Sequence, residues 1–166
     1  MLQGADEVDA VRAAEAALVG GDFDGAVDVL ERAVATEDDP EALLLLGGMR
    51  LMDERYDEAR ATWERCFRVA RTAGRPRTAA MAASQLAEIH AASLGHPSAA
   101  SGWIERGRRI LGPVGPCPEW GYLELAVMAC DRLDADDLLA STERALAIAY
   151  AEGDSTLEAR ALCDQG

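Results

Sequence analysis

Apolar residues recur along this chain with the spacing of amphipathic helices, and no useful stretch shows the alternation of a strand. Glycine, proline or aspartate residues separate these segments, as at Gly20-Gly21 and Asp39-Pro40. The pattern predicts an all-α chain. The nine predicted helices span approximately 5–20, 23–36, 40–53, 56–73, 77–94, 98–111, 118–133, 136–152 and 155–165.

A short pattern at the start of the second helix returns at the start of the fourth. Residues 21–27 read GDFDGAV and residues 54–60 read ERYDEAR, which places Ala26 and Ala59 33 residues apart. This is the period of helix–turn–helix solenoids. Such repeats bury their apolar faces against their neighbours and leave one continuous surface for partners. We therefore predict a right-handed α-solenoid that acts as a binding scaffold.

Aligned on this period, the chain resembles the tetratricopeptide repeat family over nearly its whole length. The matching residues are Gly21, Phe23, Ala26, Leu30 and Ala33 in the first unit, and Leu46, Gly47, Tyr56, Ala59, Trp63 and Cys66 in the second. The later units diverge more, and Leu138 replaces a signature alanine. The resemblance implies a single domain over 1–166. Its predicted units are 7–39, 40–73, 77–111 and 118–152, with a closing helix at 155–165.

A second resemblance concerns the middle of the chain. The run from Ala99 to Leu111, followed by a proline-rich loop and the residues WGYLE at 120–124, is similar to the helical-repeat region of large bacterial LuxR-type transcriptional regulators. In those proteins the repeats precede a C-terminal helix-turn-helix, which has no counterpart here. The resemblance implies either a fragment of such a regulator or a free-standing relative, and with it a role in transcription regulation.

The resemblance to tetratricopeptide repeats also implies where a partner binds, since the first helices of those repeats line a concave groove. The matching positions are mostly apolar, which suits an amphipathic helix or an apolar peptide. Plain core packing is the alternative for each residue, above all for Leu44 and Leu123. The predicted groove residues are Glu15, Leu44, Leu51, Met81, Ser84, Glu88, Trp120, Leu123 and Val127, and Val11, Leu18, Gly48 and Met52 fall on the same face.

Charge is unevenly distributed in this acidic chain, whose formal net charge is −14. Residues 1–59 hold 16 acids and 4 Arg, residues 60–112 hold 3 acids and 9 Arg, and residues 113–166 hold 11 acids and 3 Arg. The overall charge argues against direct nucleic-acid binding and against acidic membranes. The basic middle section is either a set of solvated helix faces or a surface that takes acidic groups of a partner or of the chain's own ends.

Within the basic section, arginines on the fourth and sixth helices form a second candidate surface. Arg65, Arg68 and Arg71 recur every three residues and therefore share one side of a helix. Clustered guanidinium groups bind phosphate or carboxylate, and the alternative is a solvated face relieved by neighbouring acids. The candidate anion-binding patch comprises Arg65, Arg68, Arg71, Arg106 and Arg109.

Residue types that carry catalysis are present, but in no arrangement typical of an active site. The four cysteines show no C-x-x-C spacing, and neither histidine has a cysteine at ligand spacing, which argues against a zinc site and a disulfide framework. We predict no enzymatic activity, no metal and no cofactor. Cys117, in a proline-rich loop, is the predicted most reactive thiol, and Cys66 the most protected.

The first residues show neither the basic nor the apolar region of a secretory signal, and the longest apolar run, 42–49, is far too short for a membrane span. We therefore expect a cytoplasmic protein without membrane contact. The predicted partner is a protein or peptide. The alternative function is a sensory or regulatory segment of a LuxR-type regulator that lacks its DNA-binding part. The last helix predicts either a capped monomer or homodimer, or an open end that self-associates if the chain is a fragment.

Overall fold

The computed structural model of the chain describes residues 4–130 and 135–163, and within them the chain is helical with short turns and no strand. The all-α prediction is confirmed. Each predicted span corresponds to one helix, although the predicted ends at 133 and 165 lie outside the described residues. The helices are α1 (Gly4–Val19), α2 (Phe23–Thr36), α3 (Pro40–Met52), α4 (Tyr56–Thr72), α5 (Pro76–Glu88), which continues into a π-helical turn (Ile89–Ser93), α6 (Pro97–Leu111), α7 (Pro118–Met128), α8 (Ala135–Glu152) and α9 (Ser155–Cys163).

Short acids, prolines and glycines begin and end these helices. The carboxylate of Asp39 accepts hydrogen bonds from the backbone N–H groups of Glu41 and Ala42, and Pro40 occupies the first position of α3. The cap satisfies two of the donors that a helix start leaves unpaired, and proline has no N–H to lose there. Past the end of α4, Gly74 adopts a φ of 68°, a left-handed conformation that costs glycine little.

The start of α9 differs from the expected arrangement. The residues STLE at 155–158 predict a capping box in which Ser155 precedes the helix. Instead, Ser155 is the first helical residue, and Asp154 Oδ1 accepts hydrogen bonds from the N–H groups of Thr156 and Leu157 at 3.1 and 2.9 Å. An aspartate caps as well as a serine, so the helix begins at the predicted residue, but its cap lies one residue earlier, at Asp154 instead of Ser155.

Helices that follow one another along the chain pack together, and so do successive odd-numbered helices, from α1 through α3, α5 and α7 to α9. In the described part of the chain the even-numbered helices make no backbone contact with one another. The molecule therefore has an odd-helix face, the exposed side of the row α1, α3, α5, α7 and α9, and an even-helix face opposite it. The handedness and the number of repeats stay predictions.

Small residues lie where helices cross, as the repeat pattern predicts. Ala26 and Ala59 are fully buried. Gly47 of α3 lies against the indole of Trp63 of α4, so closely that a Cβ at Gly47 would stand 2.3 Å from Trp63 Nε1. The same indole N–H donates to the backbone carbonyl of Leu44 at 3.1 Å. The glycine therefore sets both the distance and the rotation of α4 relative to α3.

Two further glycines repeat this arrangement. A Cβ at Gly107 of α6 would stand 2.7 Å from Leu123 Cδ2 of α7, and a Cβ at Gly121 of α7 would stand 2.3 Å from Leu157 Cδ2 of α9. Both leucines are fully buried. Protein interiors are packed as densely as organic crystals, so neither leucine has room to move away.

None of the helices among the described residues is both long and apolar enough to cross a membrane.

Gly47 and Gly48 are neighbours in one helix and provide a matched test of this packing. Gly47→Ala should lower the free energy of unfolding by about 1–3 kcal/mol, because the new methyl group overlaps Trp63. A Cβ at Gly48 meets no atom within 4 Å. Gly48→Ala should therefore raise the free energy of unfolding by about 0.5–1 kcal/mol, since alanine is the better helix former. Urea denaturation measures both, and equal effects would contradict the packing.

Candidate functional site

Equivalent apolar residues are exposed on α1 and α3 of the odd-helix face. Leu18 and Leu51 are 33 positions apart and both are half-buried, and Val19 and Met52, also 33 apart, are 92% and 75% exposed. Val19 and Met52 are the most exposed large apolar side chains of the described residues. Soluble proteins expose single apolar residues freely, but a row repeated across two helices is a candidate contact surface. We call Leu18, Val19, Leu51 and Met52 the apolar strip.

The strip continues along both helices towards their starts. Val11 and Leu44 are again 33 positions apart and both are half-buried. Glu15 and Gly48 occupy the next equivalent pair, where Glu15 is exposed and Gly48 borders open space. Because Gly47 faces Trp63 of α4, the next residue of the helix is turned away from that neighbour. Gly48 therefore forms a depression in the surface beside the apolar strip.

Charge pairs connect the odd-numbered helices beyond this strip. Glu41 of α3 forms an ion pair with Arg75, which immediately precedes α5, and the distance from Arg75 Nη1 to Glu41 Oε2 is 2.7 Å. The Thr78 hydroxyl donates a hydrogen bond to the same carboxylate at 3.1 Å. Arg77 of α5 pairs with Glu119 of α7 at 2.9 Å. Burial alone would raise the pKa of Glu41, but the hydrogen bonds from its neighbours outweigh burial and lower it. The carboxylate therefore stays ionised and holds α3 against α5.

A further pair joins α5 to α9 across α7. Arg160 Nη2 lies 2.8 Å from Glu88 Oε2, and its guanidinium group stands 5.6 Å from the centroid of the Tyr122 ring. The Tyr122 hydroxyl donates to Asp154 at 3.3 Å. Burial, reinforced by Asp154, raises the pKa of Tyr122 to about 12, so the hydroxyl remains a donor at neutral pH. Side chains from two helices thus meet over a third and close the odd-helix face at α7.

A cleft of about 780 Å³ lies beside this closure. Its polar end is the pair Glu88 and Arg160, and its walls are mostly apolar. Leu139, on α8, is 53% exposed. The remaining lining residues are Ala92, Leu125, Met128, Ala129, Leu138 and Thr142.

The structure separates the predicted groove residues into two groups. Surface remains accessible at Glu15, Leu44, Leu51, Met81 and Glu88. Ser84 and Leu123, however, have no exposed surface. The Ser84 hydroxyl donates to the Met81 carbonyl at 2.8 Å, and Leu123 packs in a buried cluster against Gly107. These two residues belong to the core and do not line an open groove.

Trp120 and Val127 of α7 are half-buried, but their side chains contact α8 and α6 and do not line the predicted groove. The Trp120 Nε1 donates to the carbonyl of Gly115 at 3.1 Å, and the ring borders a small recess against α8. Val127 packs on the cluster that contains Ile104 of α6. The physical reason is the insertion of Leu123 against α6, which fixes the rotation of α7. On α7 it is Tyr122 that contacts Asp154 and Arg160 at α9. The sequence pattern alone does not predict this contact.

Three of the predicted patch arginines have specific neighbours. Arg65 donates to Asp38 Oδ1 and to the Val34 carbonyl, both at 2.7 Å, so it serves to join α4 to the end of α2. Arg71 stands over the Phe67 ring at 5.8 Å, and Arg106 over the Trp103 ring at 4.6 Å.

The two aromatic rings connect the helices that carry the rest of the patch. Phe67 of α4 and Trp103 of α6 meet edge to face with centroids 5.1 Å apart. Arg68 and Arg109 are exposed on the same two helices. The structure therefore brings Arg71 and Arg106 to one aromatic pair, whereas Arg65 is engaged with Asp38 and Val34.

Cys117 is not the exposed thiol that its loop predicts. It lies at the start of α7 with 4% of its surface exposed, and burial raises its pKa. Cys66 is fully buried and its Sγ donates to the Pro40 carbonyl at 3.2 Å. Burial, reinforced by the carboxylates nearby, raises the pKa of Cys66 to about 12. Cys163 is the exposed cysteine of the described residues.

His90 lies in the π-helical turn after α5, and its ring centroid is 6.0 Å from that of His96. Its Nδ1 is buried without a hydrogen-bond partner among the described residues. Burial, together with the positive charge of Arg60 and the neighbouring His96, lowers the pKa of His90. In the part of the chain that the structure describes, no three His, Cys, Asp or Glu side chains are placed to hold a metal ion.

No protein-family model matches this chain, and a comparison with curated proteins found no significant match. The similarities to tetratricopeptide repeats and to LuxR-type regulators therefore stay predictions from the residues that carry them.

Thiol reactivity separates the exposed cysteine from the buried ones. Under native conditions Cys163 should alkylate first, because its sulfur is exposed to the reagent, whereas burial shields Cys66 and Cys117 and raises the pKa of their thiols. Cys66 should react only after unfolding. Timed iodoacetamide labelling with peptide mass analysis measures the order, and Cys163→Ser is the control that should remove the fast phase. A fast reaction at Cys117 would contradict the placement of α7.

The lowered pKa of His90 predicts a loss of stability in mild acid. The unfolded chain binds a proton at His90 near its ordinary pKa of 6.5, whereas the folded chain does so only at lower pH. Stability is therefore complete above that pKa and falls as the pH drops towards the folded-state value. Urea denaturation at about pH 7.5 and about pH 5.5 should show a larger loss for the native chain than for His90→Gln. Identical losses would show that His90 is not desolvated.

Proposed function

We propose that this chain is a non-catalytic scaffold that binds a protein or peptide on the odd-helix face, between α1 and α5. The observation that carries the proposal is the open space at Gly48 beside the apolar strip. Because Gly48 has no side chain, a partner side chain or helix can approach the backbone of α3 more closely there than at the other residues of the helix surface. The exposed Met52 lies one turn further along the same helix, and the exposed Val19 occupies the equivalent position of α1.

Burial of the strip supplies the driving force. Removing apolar surface from water contributes about 25 cal/mol per Å², and Val19 and Met52 expose most of their side chains in the free chain. Methionine adapts its shape to different apolar surfaces because its side chain is unbranched and polarisable. The repetition of the same exposure on α1 and α3 supports an elongated partner that crosses both helices, such as one face of an amphipathic helix.

Ion pairs across α7 and between α5 and α7 limit how far the proposed binding surface extends along the odd-helix face. Glu88 and Arg160 meet across α7, and Arg77 and Glu119 join α5 to α7. A partner that extended past α5 would have to separate these pairs and desolvate their charges, which costs several times what an exposed pair contributes. The binding surface we propose therefore ends at α5, and it includes Leu44 and Leu51 but not Trp120, Leu123 or Val127.

A substitution at Gly48 tests the proposal without disturbing the core. Gly48→Gln should leave the fold intact or slightly stabilised, since no atom stands within 4 Å of the new Cβ. Its side chain fills the depression, and the affinity for a groove-bound partner should fall at least roughly tenfold, equivalent to about 1.4 kcal/mol.

The matched control is Gly102→Gln on α6, where the nearest atom to a new Cβ is Arg106 Nη1 at 3.5 Å. The immobilised native chain and both variants are exposed to native cell extract, retained proteins are identified by mass spectrometry, and each affinity is then measured by calorimetry. A partner lost from Gly48→Gln and kept by Gly102→Gln supports the proposal. Equal retention by all three chains, or no specific retention by any, would remove its basis.

A further inference from the structure

Some arginines of this chain form ion pairs with carboxylates, and others form none within the described residues. With 30 acids and 16 Arg, each guanidinium group has acids available to it. Across the described residues most arginines indeed pair with a carboxylate, as Arg50, Arg75 and Arg144 do. Arg68, Arg71, Arg106 and Arg109 form no such pair within those residues. We call these four residues the basic face.

The basic face spans two helices that meet through an aromatic contact. Arg68 and Arg71 lie on α4, Arg106 and Arg109 lie on α6, and the contact between the rings of Phe67 and Trp103 joins the two helices. Arg71 and Arg106 each stand over one of these rings. A cation stacked on an aromatic ring keeps its charge, so the whole face remains positive.

A second surface of the same molecule, on α2, carries mostly acids. Residues 22–37, which include α2, contain five acids and one Arg. Asp24 and Asp28 are one turn apart, both are exposed, and neither pairs with a guanidinium group in the described part of the chain. Arg32 donates its Nε to the backbone carbonyl of Asp28 and not to its carboxylate. We call Asp24 and Asp28 the acidic face.

We propose that the basic face of one copy of this chain binds the acidic face of a second copy, and that the reverse contact completes a dimer. The two faces are complementary in charge, and in the described structure they do not meet within one copy. A two-fold axis makes both contacts equivalent, which closes the assembly at two copies. Nucleic acid is a poorer occupant, since a chain of net charge −14 repels a polyanion outside the immediate contact.

The dimer uses α2, α4 and α6, whereas the proposed partner surface lies on α1 and α3. The odd-helix face therefore stays open in the dimer, which presents two copies of it. This inference is independent of the proposed scaffold function, because either can fail while the other stands.

Salt dependence is the first test. Exposed charges are screened beyond about 8 Å at 0.15 M ionic strength and more closely still in concentrated salt. Sedimentation velocity over a concentration series should show the native chain approaching the dimer mass at about 50 mM salt and the monomer mass at about 500 mM. A monomer at both salt concentrations would overturn the proposal. A mass that climbs beyond the dimer would indicate association through another surface and would also overturn it.

Charge exchange gives the second test. The double variant Arg68→Glu/Arg109→Glu should be monomeric alone, because its former basic face now repels the acidic face. Asp24→Arg/Asp28→Arg should be monomeric alone for the converse reason. An equimolar mixture of the two should recover the dimer, since each changed face meets the other. No recovery in the mixture, with circular dichroism showing both variants folded, would contradict the pairing of these two faces.

The matched control is Glu143→Arg/Glu152→Arg. Both residues are exposed on α8, which makes no backbone contact with α2, α4 or α6 in the described part of the chain. The change in net charge equals that of the acidic-face variant. This control should dimerise like the native chain. If it were monomeric too, the effect would come from net charge and not from the acidic face.

Discussion

The contact of a large side chain with a glycine of a neighbouring helix is the constraint on which the rest of this structure depends. Trp63 lies on Gly47, Leu123 on Gly107 and Leu157 on Gly121, each so close that a single methyl group would not fit. Such a contact fixes two quantities at once, the distance between helix axes and the rotation of each helix about its own axis. Alanines at the other crossings, such as Ala59, fix the distance but allow more freedom of rotation.

The rotation decides which residues reach the surface. In α3, Gly47 faces Trp63, and this turns Gly48 towards open space beside Met52. In α7, the insertion of Leu123 against α6 turns Tyr122 towards α9, where Arg160 and Asp154 receive it. The open part and the closed part of the odd-helix face thus arise from the same kind of contact. The surface that we propose for partner binding is thus a consequence of core packing and not a separate feature added to it.

Much of the fold could be predicted because its determinants are local. Caps such as Asp39 and glycines such as Gly74 act within a few residues, and they placed most helix ends correctly. The equivalent exposed positions on α1 and α3 could also be predicted, since these helices keep a 33-residue period. The positions on α7 were not, because the longer loops and the replacement Leu138 remove the register. The pair of Glu88 with Arg160 spans 72 residues, and no local pattern indicates it.

Net charge is a similarly incomplete guide to what this surface binds. A value of −14 describes the field at long range, where salt screens it, but contact is decided by the charges that remain unneutralised at short range. Arg65 belongs to the predicted patch, yet it forms an ion pair with Asp38. Arg68 borders the same recess as Asp38 but forms no ion pair among the described residues. An acidic chain can therefore carry a basic contact surface, provided that the acids of the same helices pair with other arginines, as Glu64 does with Arg60 and Glu105 with Arg108. Helix packing adds to this, because in the described part of the chain α2 makes no backbone contact with α4 or α6, which keeps Asp24 and Asp28 apart from the basic face. The core packing that leaves no room for a methyl group thus also keeps opposite charges apart on one molecule.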